Sequence, residues 1–394
     1  MRVGVDATCW GNRRGYGRFT RALLTALLEL DRQNHYVFFV DSESEEFPLP
    51  PGAEVSRIAT SVPTIQAAGA DSRRSLPDLW AVAQAIRGAD TDVIFFPSEY
   101  TYVPVITKTP QIVTLHDATS EVVPELVFPN LRARFFFGAK KRMAVRLARL
   151  LVTVSEYSRH QLREKLGIPL ERLRVVGEAP DPIFRPAQSP CASEVEARWG
   201  IPAQAKCLIY VGGFTPHKNL LMLLDVFGEL VRRGSFPDLR LVHVGDYATD
   251  PFHSSYGELA ERVRQTHLEQ QVIFTGRLSD EDLVVLLNRS DALVLPSFSE
   301  GFGLPGVEAA ACGKPVLATT QSPLPELLGE GAIAIDPADR AGWLKATEHV
   351  LADAALRERM GNAALAAAQR LSWKNSASQL LSAFHEVQRN GAAA

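Results

Sequence analysis

With 394 residues the chain is long enough for two domains with separate cores, and its 46% hydrophobic and 22% charged content excludes a disordered or fibrous protein. A net charge of −3 argues against nucleic acid as the main partner. Cys9, Cys191, Cys207 and Cys312 are scattered without a C-x-x-C pair, which leaves no disulfide framework or zinc knot.

The first half alternates short apolar runs with helical patterns, the mark of βαβ units and a parallel sheet. Strands are expected at Val3–Asp6, Tyr36–Val40, Val93–Phe96, Gln111–Leu115, Leu151–Ser155 and Arg174–Val176. The chain opens on the strand-like Val3–Asp6 without an n-region or apolar h-region, and it has no run of 18 apolar residues to span a membrane, so no secretory signal is expected and a cytoplasmic enzyme is. Phe19–Leu30 shows helical periodicity through Leu23, Leu24, Leu27 and Leu28. Ahead of it lies a glycine loop, Gly11 to Arg18, in which Gly15, Tyr16, Gly17 and Arg18 could cradle a phosphate or a sugar. Asp90-Thr91-Asp92 precedes its strand and reads as turn chemistry, not as a metal pair.

His116 and Asp117 stand at the carboxyl end of the fourth expected strand, on the rim that lines ligand crevices in such sheets. From Leu131 to Arg149 there are seven Lys/Arg and no acid, with Phe135-Phe136-Phe137 embedded. The phenylalanines are expected to pack on the sheet below a solvated basic face. The alternative is a weak peripheral contact with an anionic membrane. The proline-rich stretch from Glu178 to Pro186, continuing to Ala192, breaks the pattern and reads as an interdomain linker.

The second half repeats the design, with strands expected at Leu208–Val211, Leu239–Val244, Val272–Phe274, Ala292–Leu295, Val316–Ala318 and Ala332–Ile335. Gly212 and Gly213 open a loop that ends in Lys218 at the start of the helix Leu220–Arg232, a good position for a diphosphate. After Ala292–Leu295 comes Pro296 to Val316, reading PSFSEGFGLPGVEAAACGKPV: strand, glycine loop around Gly301, Phe302 and Gly303, and helix start at Leu304-Pro305. Unpartnered N–H groups at such a helix start make an anion site. Glu300 before the loop could orient substrate, and Glu308 eight positions later could hold ribose hydroxyls; alternatively the two are a surface and a capping carboxylate.

Together E-G-F-G-L-P-x-x-E and A-x-G-K-P-V resemble the donor-binding signature of retaining, group 1 type nucleotide-sugar glycosyltransferases with the GT-B fold. The resemblance implies an α/β architecture of two Rossmann-like domains with parallel sheets facing across a cleft. It implies an acceptor-binding domain over 1–185 and a donor-binding domain over 190–372, with the terminal helix 374–390 returning to the first. It places Glu300 by the donor sugar, Glu308 on the ribose, and the Phe302–Leu304 amides on sugar and diphosphate. The family's H-D gives His116 an active-site role, its G-x-G-R-[YF] matches Gly15 to Phe19, and Arg277-Leu278 fall near the nucleotide base and ribose. In the family's G-R-L-x-x-x-K, Lys218 matches the lysine, whereas Gly213 replaces the arginine; His217 or Arg277 would compensate.

The reading is a retaining hexosyltransferase using a nucleoside diphosphate sugar without cofactor or metal, with Lys218, Glu300 and His116 as catalytic residues. Mannose or glucose is the expected sugar, with a lean toward GDP-mannose; the acceptor is a sugar, a lipid-linked molecule, a polysaccharide or a small molecule. Two alternatives stay open, a non-hydrolysing sugar-nucleotide epimerase and a degenerate nucleotide-sugar-binding scaffold.

Overall fold

A computed structural model describes residues 1–42, 46–65, 75–187, 192–247 and 254–392. Cys191 and part of the proline-rich stretch lie outside them. Contacts divide the chain into two compact units: Met1–Pro124, Phe128–Glu178 and Ser372–Ala394 form the first, and Glu125–Val127 with Ala179–Leu371 the second.

The first unit is built on seven parallel strands, β1 (Arg2–Asp6), β2 (His35–Val40), β3 (Glu54–Arg57), β4 (Val93–Phe96), β5 (Gln111–Thr114), β6 (Leu150–Thr153) and β7 (Leu173–Val175), in the order β3-β2-β1-β4-β5-β6-β7. Inner strands such as Val93-Ile-Phe-Phe96 are buried along their whole length because helices cover both faces. On one face, Val82 and Ile86 of the helix Leu76–Gly88 and Ala144 of the helix Leu131–Leu147 share a buried cluster with Ile94, Phe96 and Val113. On the other face the helix Gly15–Leu30 packs with the terminal helix Trp373–Ala392. Phe384 of the terminal helix meets Phe95 edge-on at 5.7 Å, and both oxygens of its Glu386 take the Arg174 guanidinium at 2.6 and 2.9 Å.

Two expectations fail here. β3 has no apolar run; it is a half-exposed edge strand whose Glu-Val-Ser-Arg pattern gives no strand signal. The Phe135–Phe137 triplet does not pack on the sheet as a group. Helical geometry turns Phe137 inward, while Phe135 and Phe136 stay exposed. Asp92 is strand-start chemistry: its carboxylate accepts the Arg2 backbone N–H at 2.7 Å, beside β1.

The second unit has six parallel strands, β8 (Cys207–Val211), β9 (Arg240–Val244), β10 (Val272–Gly276), β11 (Ala292–Leu295), β12 (Val316–Thr319) and β13 (Ala332–Ile335), in the order β10-β9-β8-β11-β12-β13. Each sheet therefore reverses direction of winding once, between β1 and β4 in the first unit and between β8 and β11 in the second. Open α/β sheets bind ligands outside the carboxyl ends of strands at such points.

One buried group in the second unit works against its stability. His243, in β9, is wholly buried among Phe274, Tyr210 and Phe214, and among the described residues neither ring nitrogen has a hydrogen-bond partner. Burial pushes its pKa down to about 3, so the folded state holds it neutral. A base whose folded pKa lies below its ordinary value adds no protonation cost above about pH 6.5 and costs stability progressively as pH falls toward 3, because the unfolded chain takes the proton first. His243→Leu is expected to raise the melting temperature by roughly 2–4 °C at pH 7.5, equivalent to about 1 kcal/mol, and by more at pH 5. An equal or lower melting temperature at both pH values would show that the imidazole is satisfied there.

Candidate functional site

The carboxyl rim of the second sheet is assembled from strand ends that hydrogen-bond sideways. The Gly212 N–H donates to the Val244 carbonyl at 2.9 Å and the Gly245 N–H to the Gly276 carbonyl at 3.1 Å, which ties the ends of β8, β9 and β10 together. A Cβ on Gly245 would lie 2.0 Å from the Gly212 carbonyl oxygen, and Gly212 itself has a φ of 154° with Tyr210 Oη in the way of any side chain. Tyr210 Oη instead donates to the Gly213 carbonyl at 2.6 Å and holds the loop down. Only glycines allow this close stacking of backbones.

After β8 the loop closes with a 3-10 turn, Pro216–Lys218, and Asn219 in the left-handed region (φ 59°) starts the helix Leu220–Arg233. The Asn219 amide donates to the Pro296 and Pro337 carbonyls at 3.2 and 2.9 Å, fixing this corner to the end of β11. The result is that loops from β8 and β11 meet at the point of reversal. Lys218 Nζ lies 2.7 Å from Glu300 Oε1, and Ser297 Oγ donates to the same oxygen at 2.6 Å. The Lys218 and Glu300 side chains are 19% and 13% exposed, so solvent still reaches the pair. The Glu300 backbone N–H donates to the Gln321 carbonyl at 3.0 Å, linking the site to the loop after β12.

The glycine stretch after Glu300 turns sharply at Gly303 (φ 83°), and the helix Leu304–Ala311 begins at the next residue. A Cβ at Gly303 or Gly306 would strike Leu324 at 2.6–2.7 Å, so the loop is packed tightly against its neighbour. Phe302 and Leu304 bury their side chains, which leaves backbone amides as the loop's chemistry, and Gly301 is buried as well. Glu308 is fifth in the helix, past the first turn where the helix dipole acts on a carboxylate, and is 1% exposed. Arg277 and Leu278 follow β10 on the same rim, Arg277 exposed.

The rim of the first unit has the same logic. The helix starts at Gly15, so Gly15, Tyr16, Gly17 and Arg18 form its first turn and the loop proper ends at Arg14. The helix thus takes in four residues expected in the loop, since two glycines within three positions weaken a helix signal. Gly17 is required by packing: a Cβ there would sit 2.0 Å from the Asn12 carbonyl oxygen. Tyr16 stacks on Tyr100 at 5.0 Å, joining the segments after β1 and β4 at the reversal point.

His116 follows β5, which is the fifth strand once β3 is counted. It is 8% exposed, its ring is edge-on to Phe19 at 5.0 Å, and its Nε2 lies 3.1 Å from the Pro97 carbonyl. A carbonyl can only accept, so Nε2 carries the proton and Nδ1 is the nitrogen left for other work. Burial pushes the His116 pKa down to about 4, so the ring is neutral at pH 7. Asp117 spends a carboxylate oxygen on the Thr119 N–H at 2.8 Å, a turn-holding role.

Glu99 and Tyr100 were missed from sequence. The Glu99 carboxylate accepts the His116 backbone N–H at 3.3 Å, is 1% exposed, and has its pKa pushed up to about 7 by burial. The available signal was Ser98-Glu99-Tyr100 directly after a buried strand, at the same rim as His116.

The chain is similar to known proteins over most of its length. Residues 193–367 match the family model described as Glycosyl transferases group 1, and residues 14–182 match the one described as Glycosyltransferase Family 4. O-antigen chain mannosyltransferase B of Escherichia coli is 30% identical over 275 residues, 69% of either chain. D-inositol 3-phosphate glycosyltransferase of Corynebacterium efficiens is 30% identical over 221 residues; the match takes in 55% of this chain and about half (51%) of that relative. Among solved structures, sucrose-phosphate synthase (tll1590) from Thermosynechococcus elongatus superposes with a TM-score of 0.77 at 19% identity over 98% of both chains.

Proposed function

Because the chain belongs to the group 1 glycosyltransferases, enzymes of the GT-B fold that use nucleotide sugars, we propose that it transfers a hexose with retention from a nucleoside diphosphate sugar to an acceptor hydroxyl, without a metal ion. The observation that carries this reading is the Lys218–Glu300 pair at 2.7 Å on the reversal point of the second sheet. Lys218 supplies the positive charge that a departing diphosphate needs, and the loop amides around Gly301 to Leu304 add oriented donors. Glu300 orients the donor sugar and Glu308 takes the ribose. Gly212, Gly213, Arg277 and Leu278 complete the donor side, and Gly213 leaves Lys218 as the loop's matched cation. In the first unit, neutral His116 and the turn Gly15 to Arg18 serve the sugar and the acceptor. The likeness to a mannosyltransferase favours mannose over glucose, and with it GDP-mannose as donor.

An enzyme of this type slowly transfers its sugar to water when acceptor is absent. Proton NMR of the chain with GDP-mannose or UDP-glucose and EDTA is therefore expected to show the α anomer of the free hexose first. A first-formed β anomer would overturn retention, and an epimerised nucleotide sugar with no free hexose would favour the epimerase reading. An untouched donor that nonetheless binds would favour the scaffold.

A further inference from the structure

Among the described residues, all the exposed large apolar side chains belong to the first unit. Apart from Val62, they stand on two helices of one layer and on a loop beside them. Leu76 and Trp80 are four apart on the helix Leu76–Gly88, and Leu131 and Phe135 are four apart on the helix Leu131–Leu147, with Phe136 and Met143 beside them. Ile106 stands on the loop whose Val103 and Val105 join the same buried cluster as Val82, Ile86 and Ala144 on the inner sides of those helices. Leu131, Leu76, Ile106 and Trp80 are 80, 79, 77 and 67% exposed, and Phe135 and Phe136 are 62 and 59% exposed, a grouping of the kind that marks an interaction surface.

Basic groups flank the exposed side chains of the helix Leu131–Leu147. The helix Leu131–Leu147 turns Ala133, Lys141 and Ala144 inward, which sends Arg132, Arg142 and Arg146 to the side that bears Leu131, Phe135 and Met143. Arg132 sits over the Phe136 ring at 5.7 Å. Guanidinium groups among apolar side chains match a surface that is anionic outside and hydrocarbon beneath. A second copy of the chain fits worse, since a two-fold interface would set this acid-free helix against itself. The face also adjoins the rim already described: Phe137, next to Phe136, packs on Tyr100 at 5.8 Å, and Tyr100 faces Tyr16 at 5.0 Å and His116 at 6.4 Å.

We propose that this face of the first unit docks on an anionic bilayer surface through the exposed side of both helices and Ile106. Resting on the glycosyltransferase reading above, it follows that the acceptor is a lipid-anchored molecule met at the bilayer surface; the docking itself does not depend on that reading.

The test is cosedimentation of the full chain with phosphatidylcholine vesicles with and without phosphatidylglycerol, at low and high salt. Binding is expected to the anionic vesicles, weakened by salt. The Phe135→Ser/Phe136→Ser double variant is expected to bind them roughly tenfold less or worse, and Arg132→Glu/Arg142→Glu to lose the preference for anionic lipid. Unchanged melting temperatures and nucleotide responses show that both variants are folded. No binding of the unmodified chain at low salt, or equal binding by the phenylalanine variant, overturns the proposal. A dimer in light scattering that the phenylalanine variant splits would make the face a self-interface instead. An intact nucleotide response in a chain that ignores vesicles would sink this proposal alone and leave the donor-site reading standing.

Discussion

Glu300→Gln is expected to bind nucleoside diphosphate about tenfold more tightly while its turnover falls by about a hundredfold or more. The opposite signs come from the pairing of Lys218 with Glu300 at 2.7 Å. A diphosphate that reaches Lys218 competes with a carboxylate already in contact, and it also meets that carboxylate's own charge. Two unit charges 4 Å apart interact by about 1 kcal/mol in bulk water and about 4 kcal/mol near a protein surface, and a tenfold change in affinity, about 1.4 kcal/mol, falls inside that range. Glutamine keeps an acceptor for Ser297 Oγ and removes the charge, so the corner should stay folded. The sugar loses its ionised partner, which is why turnover moves the other way. Titration calorimetry gives the affinity and a donor-turnover assay the rate. Weaker nucleotide binding with an unchanged rate would show that the two residues form a structural salt bridge.

Gly245→Ala is expected to lower the melting temperature by roughly 6–12 °C, about 3 kcal/mol, and to abolish the nucleotide-induced shift. Its added methyl would stand 2.0 Å from the Gly212 carbonyl oxygen and 3.1 Å from Phe214. The nearer obstacle is backbone, so relief requires moving the Gly212–Phe214 loop away from β9, and with it the approach to Lys218. The control is Gly257→Ala in the helix Tyr256–Gln265, where no described residue lies within 4 Å of the new methyl. That variant should match or slightly exceed the parent in stability, since alanine is the better helix former. Equal behaviour of the two variants would show that the rim tolerates a wider spacing of its loops.

Most of the architecture is legible in the sequence because both sheets are covered on both faces, which turns each inner strand into a short continuous apolar run. β3 escapes because an edge strand needs no such run. The start of the first helix at Gly15 escapes because Gly17 is fixed by its close approach to Asn12, a tertiary demand that local propensity does not show. Motif spacing locates Lys218 and Glu300 separately; their contact depends on which strands flank the reversal, a property of the whole sheet order. Glu99 and Tyr100 are hidden for the same reason, since their partners, His116 and Tyr16, come from loops elsewhere in the chain. The exposed Phe135 and Phe136 are the reverse case, where an apolar triplet suggests burial and only the helix phase shows which ring turns inward.

The most direct test of the donor site is a thermal-shift panel of GDP, UDP, ADP and TDP, each with and without EDTA, on the unmodified chain and on Lys218→Ala. A ligand that binds only the folded state at a hundred times its Kd adds about 2.7 kcal/mol of stability. One base should give a clear shift, with GDP expected, indifferent to EDTA and lost in Lys218→Ala. No shift with any nucleotide, or a shift that EDTA removes, would contradict a metal-independent donor site built around Lys218.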